Sequence, residues 1–269
     1  MVFKDINDID LTHIFECGQC FRWVPDGPDA YTGAAGSFAA RVSLSDGCLN
    51  VQATGGDENF WRRYFDLDTD YGAIKKKLTE SEPEIKPATE YGHGIRILNQ
   101  DPFETIISFI ISQNNNIKRI KGIVGRLCES FGDEIEDGVY GFPTAERLAK
   151  LTPDDLAPLR AGFRNRYIID SAKKVASGEV DLELCKTADY EAARAELMKI
   201  TGVGVKVADC TLLFGMHRVE AFPIDVWMKR AMEKLFPGMT AADFGEYAGI
   251  AQQYIFHYSR MHPEIFADT

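Results

Sequence analysis

A lysine and an aspartate within one stretch, Thr201–Lys229 (TGVGVKVADCTLLFGMHRVEAFPIDVWMK), are the residues best placed to do chemistry in this chain. Lys206 follows a turn built on Gly202 and Gly204, and Asp225 stands 19 residues further on, after a Phe-Pro-Ile run. Glycine lacks a Cβ, so both turn positions can take positive φ and bring the backbone close to a ligand. The helix that starts after the turn offers unpaired N–H groups, a seat for an anionic phosphate. A cation on the first turn of that helix is out of place, because the macrodipole disfavours its charged form. Free lysine titrates near ~10.4 and must shed its proton to act as a nucleophile at neutral pH. A lysine beside a turn is ordinarily a solvated surface group. Here the glycines and the downstream carboxylate set it apart. Asp225 directly precedes the helical pattern Val226–Leu235 and is a natural N-cap. A carboxylate held that way stays ionised and can face a developing positive charge, such as the oxocarbenium-like sugar of glycosidic cleavage.

Those residues need a frame to hold them. The first ninety or so residues carry short segments at Cys20–Val24, Ala30–Ala34, Ser37–Leu44 and Cys48–Ala53. Asp26-Gly27, Asp46-Gly47 and Gly55-Gly56 punctuate them, as in an antiparallel meander. Helical patterns at Phe60–Phe65 and Tyr71–Thr79 lead to a Pro/Glu-rich joint at Ser81–Ala88. Beyond it the periodicity is helical almost throughout. Asp101 caps Phe103–Ser112 with Pro102 at its first position. Ile117–Phe131, Thr144–Leu151, Arg166–Ala176, Tyr190–Ile200, Lys206–Met216, Val226–Leu235 and Phe244–Tyr258 follow. The fold class is α+β: a small N-terminal antiparallel sheet domain over residues 1–90, then a helical body over 91–269 with the hairpin at 200–205.

Composition sets bounds. At 45% hydrophobic and 26% charged residues the chain reads as an ordinary globular protein. No run approaches the roughly 20 apolar residues of a membrane span, and the N-terminus lacks a secretory pattern. A cytoplasmic, nucleoid-associated location is expected. Six cysteines without a secreted context are expected as free thiols. Cys17-Gly-Gln-Cys20 has no second pair to complete a zinc site. The net charge of −11 argues against nucleic-acid binding by bulk electrostatics, although backbone N–H groups can hold phosphate without many lysines.

The run LMKITGVGVKVADC followed by FPIDVW resembles the helix-hairpin-helix and Gly/Pro-Asp signature of the base-excision DNA glycosylases. Within that superfamily the chain is most similar to the 8-oxoguanine DNA glycosylases. The segments GQCFRW (Gly18–Trp23), SQNNNIKRI (Ser112–Ile120), GFRNRY (Gly162–Tyr167) and AQQYIFHYSR (Ala251–Arg260) extend the likeness over most of the sequence. The absence of cysteine after Cys210 removes the iron–sulfur cluster of the endonuclease III and adenine glycosylase branches.

The resemblance implies a two-lobed helical body with duplex DNA across its cleft and a monomeric, prokaryotic-type enzyme. It implies excision of 8-oxoguanine through a lysine Schiff base, without a redox cofactor or catalytic metal. A structural cation on hairpin carbonyls near Ile200–Val205 is also implied. Lys206 and Asp225 are the catalytic pair, and Gly202 and Gly204 serve the DNA backbone. Cys210, four residues after Lys206 and otherwise a small buried hydrophobe, helps form the base pocket. Phe256 stacks on the flipped base and Gln252 bonds its Watson–Crick edge, where helical spacing alone reads as core. The carbonyl of Gly18 accepts the N7–H that 8-oxoguanine carries and guanine lacks. Asn114 fills the gap left in the duplex, Arg119 and Arg164 read the orphaned cytosine, and Phe163 wedges beside it. For Arg164 the plainer reading is phosphate contact, and for Asn114 a helix-ending turn. Trp227 stands where the eukaryotic enzymes typically carry a phosphate-contacting histidine, and His257 is a candidate to replace it. Two other readings stay open: a glycosylase for an alkylated base, and a non-catalytic helix-hairpin-helix DNA-binding module.

Overall fold

Three of the four expected strand segments pair as the turn residues dictate. The computed structural model describes residues 1–267. Ala30–Ala35, Phe38–Ser45 and Cys48–Ala53 form a continuous antiparallel meander. Val2–Phe3 adds to one edge beside Cys48–Ala53, and Val24–Pro25 to the other beside Ala30–Ala35. The expected strand Cys20–Val24 is a correction: only Val24–Pro25 pairs, with proline at a sheet edge where no ladder N–H is needed. Cys20, Phe21 and Trp23 are instead buried, because hydrophobic burial outweighs their pairing preference.

Phe15, Trp23, Tyr31, Val42, Trp61 and Phe65 fill a core under this sheet. A second core runs through the helices. Cys17 and Phe21 from the N-terminal part and the helix Tyr71–Ser81 contribute to that second core, so the sheet layer and the helical body are joined through apolar packing.

Most helices form where caps and periodicity place them. The expected helix Phe244–Tyr258 is a correction: Gly245, at φ +60° and ψ −143°, breaks it into a 3-10 segment Ala241–Tyr247 and the α-helix Ala248–Met261. Asp101, Asn116, Thr144, Asp189 and Asp225 each accept a backbone N–H at a helix start. Short helices at Leu11–Glu16 and Leu182–Thr187 escape the sequence pattern because six residues give little more than one period, yet Asp10 and Asp181 cap them. The helical body also carries a two-stranded ribbon, Glu134–Glu136 with Val139–Tyr140.

Two contacts position the chemistry. The helix Pro102–Ser112 packs along the helix Val205–Met216, with Phe109 stacked on Phe214 at 5.4 Å. Asp209 accepts from Arg194 Nε at 3.0 Å and from Tyr190 Oη at 2.7 Å, tying together the two helices that flank the hairpin. Burial raises the Asp209 carboxyl above its ordinary value against the pull of both donors.

Candidate active site

The hairpin delivers Lys206 through backbone geometry. Gly202 has φ +86°, and a Cβ there would lie 2.5 Å from the Tyr167 ring, so this turn accepts only glycine. Gly204 departs from expectation: its φ is −99° and its ψ −176°, an extended N-cap that any residue can adopt. No atom lies within 4 Å of a Cβ built on it, and no side chain caps the helix Val205–Met216. Its first N–H groups are thus left for an outside acceptor. Gln113 Nε2 donates to the Gly202 carbonyl at 3.0 Å, and Val203 N–H to that of Ile200. Each carbonyl retains a second lone pair that a cation could use.

Lys206 and Asp225 come together. Both are half-buried and line one cavity of about 400 Å³, whose walls include Gly18, Phe256, Trp227 and Arg260. Lys206 Nζ donates to Ser112 Oγ at 3.2 Å and stands 4.9 Å above the centre of the Phe109 ring. Asp225 Oδ1 accepts from Met228 N–H at 2.7 Å, so the capping role and the place at the cavity hold together. Cys210 lies one helical turn behind Lys206 and is buried. Burial pushes its thiol up to about 11, with Lys206 pulling it down and Asp225 pushing it further up. The thiol is therefore neutral, and Cys210 does not itself line the cavity, contrary to the expected place in its wall.

Gly18, with φ +89°, carries the N-terminal part into the same cavity. A Cβ on it would sit 3.4 Å from Arg260 Nη1 and from Ile117 Cδ1, and 3.5 Å from Phe256. Gln252, one turn before Phe256 on the helix Ala248–Met261, is buried with its Oε1 lacking any hydrogen-bond partner. An unpaired buried acceptor is costly, yet Gln252 does not itself line the cavity. His257 faces elsewhere: it is buried, with its ring 5.1 Å from that of His13 and 5.4 Å from that of Tyr91. It does not replace the missing phosphate-contacting histidine, because a helix turns adjacent residues about 100° apart.

A second group gathers at the end of the helix Pro102–Ser112. Asn114 is exposed at φ +47°, and Asn116 caps the next helix by accepting Arg119 N–H at 3.0 Å. The asparagine run therefore ends one helix and begins another. Arg119 is exposed, and Phe163 is 51% exposed with the Arg164 guanidinium 4.6 Å from its ring centre. Arg164 itself is buried. It donates to the carbonyls of Ala161, Gln113 and Asn114, which makes it a tether of this loop. Burial lowers its pKa, and Arg119 adds to the effect.

Ser112, Phe109 and Arg260 line the cavity although neither residue type nor spacing marked them individually. Their only signal was membership in the quoted motif segments or in an apolar helix.

Comparison with known proteins gives this geometry a family context. Residues 1–106 match the 8-oxoguanine DNA glycosylase N-terminal domain, and residues 107–243 match the HhH-GPD superfamily base excision DNA repair protein. The chain is 34% identical to the N-glycosylase/DNA lyase of Saccharomyces cerevisiae, covering 85% of this chain and 68% of that protein. It superposes on MBOgg1 in complex with a low affinity DNA ligand with a TM-score of 0.92 at 42% identity, over 97% of this chain and 96% of that one. It superposes on the Clostridium acetobutylicum 8-oxoguanine glycosylase/lyase, bound to duplex DNA with cytosine opposite 8-oxoG, with a TM-score of 0.89 at 38% identity. That match covers 97% of this chain and 95% of the other.

Proposed function

The chain belongs to the 8-oxoguanine DNA glycosylase branch of the HhH-GPD base excision DNA repair superfamily, and on that premise we propose that Lys206 and Asp225 carry its chemistry. It is a bifunctional DNA glycosylase/AP lyase that acts on 8-oxoguanine in duplex DNA. The observation that carries the site assignment is the single cavity lined by Lys206, Asp225, Gly18 and Phe256.

The damaged nucleotide leaves the stack, since its C1′ is out of reach within the duplex. The Lys206 amine attacks C1′. The Nζ–C1′ bond forms, the C1′–N9 bond breaks, and the base departs with its electron pair and takes up the proton that Nζ sheds. Asp225, held by its cap bond, faces the positive charge that builds on the sugar. Opening of the sugar ring gives an imine. Loss of a C2′ proton then expels the 3′ phosphate and cleaves the strand. Phe256 supplies the stacking face, and the unpartnered Oε1 of Gln252 suits the N–H donors of a guanine Watson–Crick edge. The Gly18 carbonyl accepts N7–H. Cys210 packs behind Lys206. Across the duplex, Asn114 fills the vacated space and Phe163 wedges beside the orphaned cytosine. Exposed Arg119 reads that cytosine directly, whereas Arg164 must exchange carbonyl partners for base acceptors. Gly204 and the helix start behind it receive a phosphate. A cation on the hairpin carbonyls would be structural. One chain supplies every group, so a monomer suffices, and a nucleoid location in a prokaryotic cell belongs to the same reading.

Borohydride trapping on a duplex with one 8-oxoguanine opposite cytosine tests the assignment. Wild type should give a covalent band, and Lys206→Gln should give none while still binding the duplex. Base release by wild type without a trapped band would remove Lys206 from the nucleophile's role.

A further inference from the structure

We propose that Ser112 is a positioning residue for the nucleophile, aiming the lone pair of Lys206; this rests on the reading of Lys206 given above. The Ser112 hydroxyl has one proton, and it is committed to the Phe109 carbonyl at 2.8 Å. Only lone-pair density therefore remains for Lys206 Nζ at 3.2 Å, and the lysine must be the donor in that contact. The Phe109 ring, its centre 4.9 Å from Nζ, presents a second electron-rich surface.

A neutral lysine amine has two N–H bonds and one lone pair. Both neighbouring surfaces repel a lone pair and attract an N–H. Cys210, whose thiol also meets Lys206, is only a weak donor and acceptor. One N–H therefore turns to Ser112 and the other to the ring, and the lone pair takes the remaining tetrahedral direction. Ser112 and Phe109 lie on the same helix, Pro102–Ser112, so one rigid element sets both constraints. With Asp225 and Phe256 lining the same cavity, the open direction is the one a flipped nucleotide's C1′ enters. Nothing is consumed: Ser112 makes and breaks no covalent bond, and the bond changes are those of the lysine step.

The test compares wild type, Ser112→Ala and Ser112→Thr in single-turnover base release, borohydride trapping and duplex binding, using 8-oxoguanine opposite cytosine. Ser112→Ala should slow base release about tenfold, as misorientation of a reacting group does, with duplex affinity unchanged. It should also trap fewer imines per base released, because a misdirected amine loses to water. Ser112→Thr, which keeps the hydroxyl, should restore both. Wild-type rates in Ser112→Ala would overturn the proposal, as would equal losses in the alanine and threonine variants, which would mark a packing role. If wild type itself traps nothing, the lysine reading fails and takes this inference with it.

Discussion

Asp225 is held by the fold at the place where the proposed chemistry needs it. One carboxylate oxygen accepts Met228 N–H at 2.7 Å while the residue lines the cavity beside Lys206. Asparagine caps a helix about as well as aspartate but carries no charge. Asp225→Asn should therefore melt within about 0.5 kcal/mol of wild type while base release falls by about 10²- to 10³-fold, the usual loss when one aligned electrostatic partner is removed. Asp225→Ala should lose a further ~1 kcal/mol of stability with the cap. Thermal melting and single-turnover base release separate the two effects, and an asparagine variant as unstable as the alanine one would deny the cap its role. At this scale the sequence was informative wherever a local rule applied. Asp225 before a helical pattern reads as a cap from its neighbours alone. Ser112 does not, because its contact with Lys206 spans 94 residues of sequence and a serine at a helix end has many other uses.

At the level of elements, the hairpin divides its labour between two glycines. Gly202 is required by the fold: φ is +86° and the Tyr167 ring occupies the space a Cβ would take. Gly204 is extended, exposed and open above, so its missing side chain matters to what approaches from outside. Gly204→Ala should change stability by less than about 1 kcal/mol yet weaken duplex binding, because the methyl group stands where a phosphate would approach the helix start. Gly202→Ala should instead cost about 1–3 kcal/mol of folding stability through backbone strain and overpacking. Denaturant melts beside duplex affinities check both, and a Gly204→Ala protein that binds normally would remove that glycine from the interface. The sequence placed the turn and the helix after it. It could not say that only one glycine would take positive φ, since that depends on Tyr167 packing against the turn.

At the level of the whole molecule, burial tunes a histidine on the helix that carries Phe256. Desolvation, with His13 adding to it, draws His257 down from 6.5 to about 4. The folded state resists its protonation while the unfolded state accepts it. Stability is thus fully present above about pH 6.5 and falls as the pH drops through about 4, by ~3 kcal/mol in all. His257→Phe should flatten that part of the stability-versus-pH curve, and melts between pH 7 and pH 4 with the same slope in both proteins would refute the assignment. The sequence by itself determined the α+β order of elements, the hairpin, and which lysine and aspartate were the candidates for the chemistry. Caps, glycines and hydrophobic periods act over a few residues, so they can be read without the fold. Only the tertiary structure decided that Ser112 and Phe109 flank Lys206, that Arg164 tethers the asparagine loop, and that His257 turns away from the cavity. Those juxtapositions arise where helices pack at long range, and no local pattern encodes which side chains will meet there.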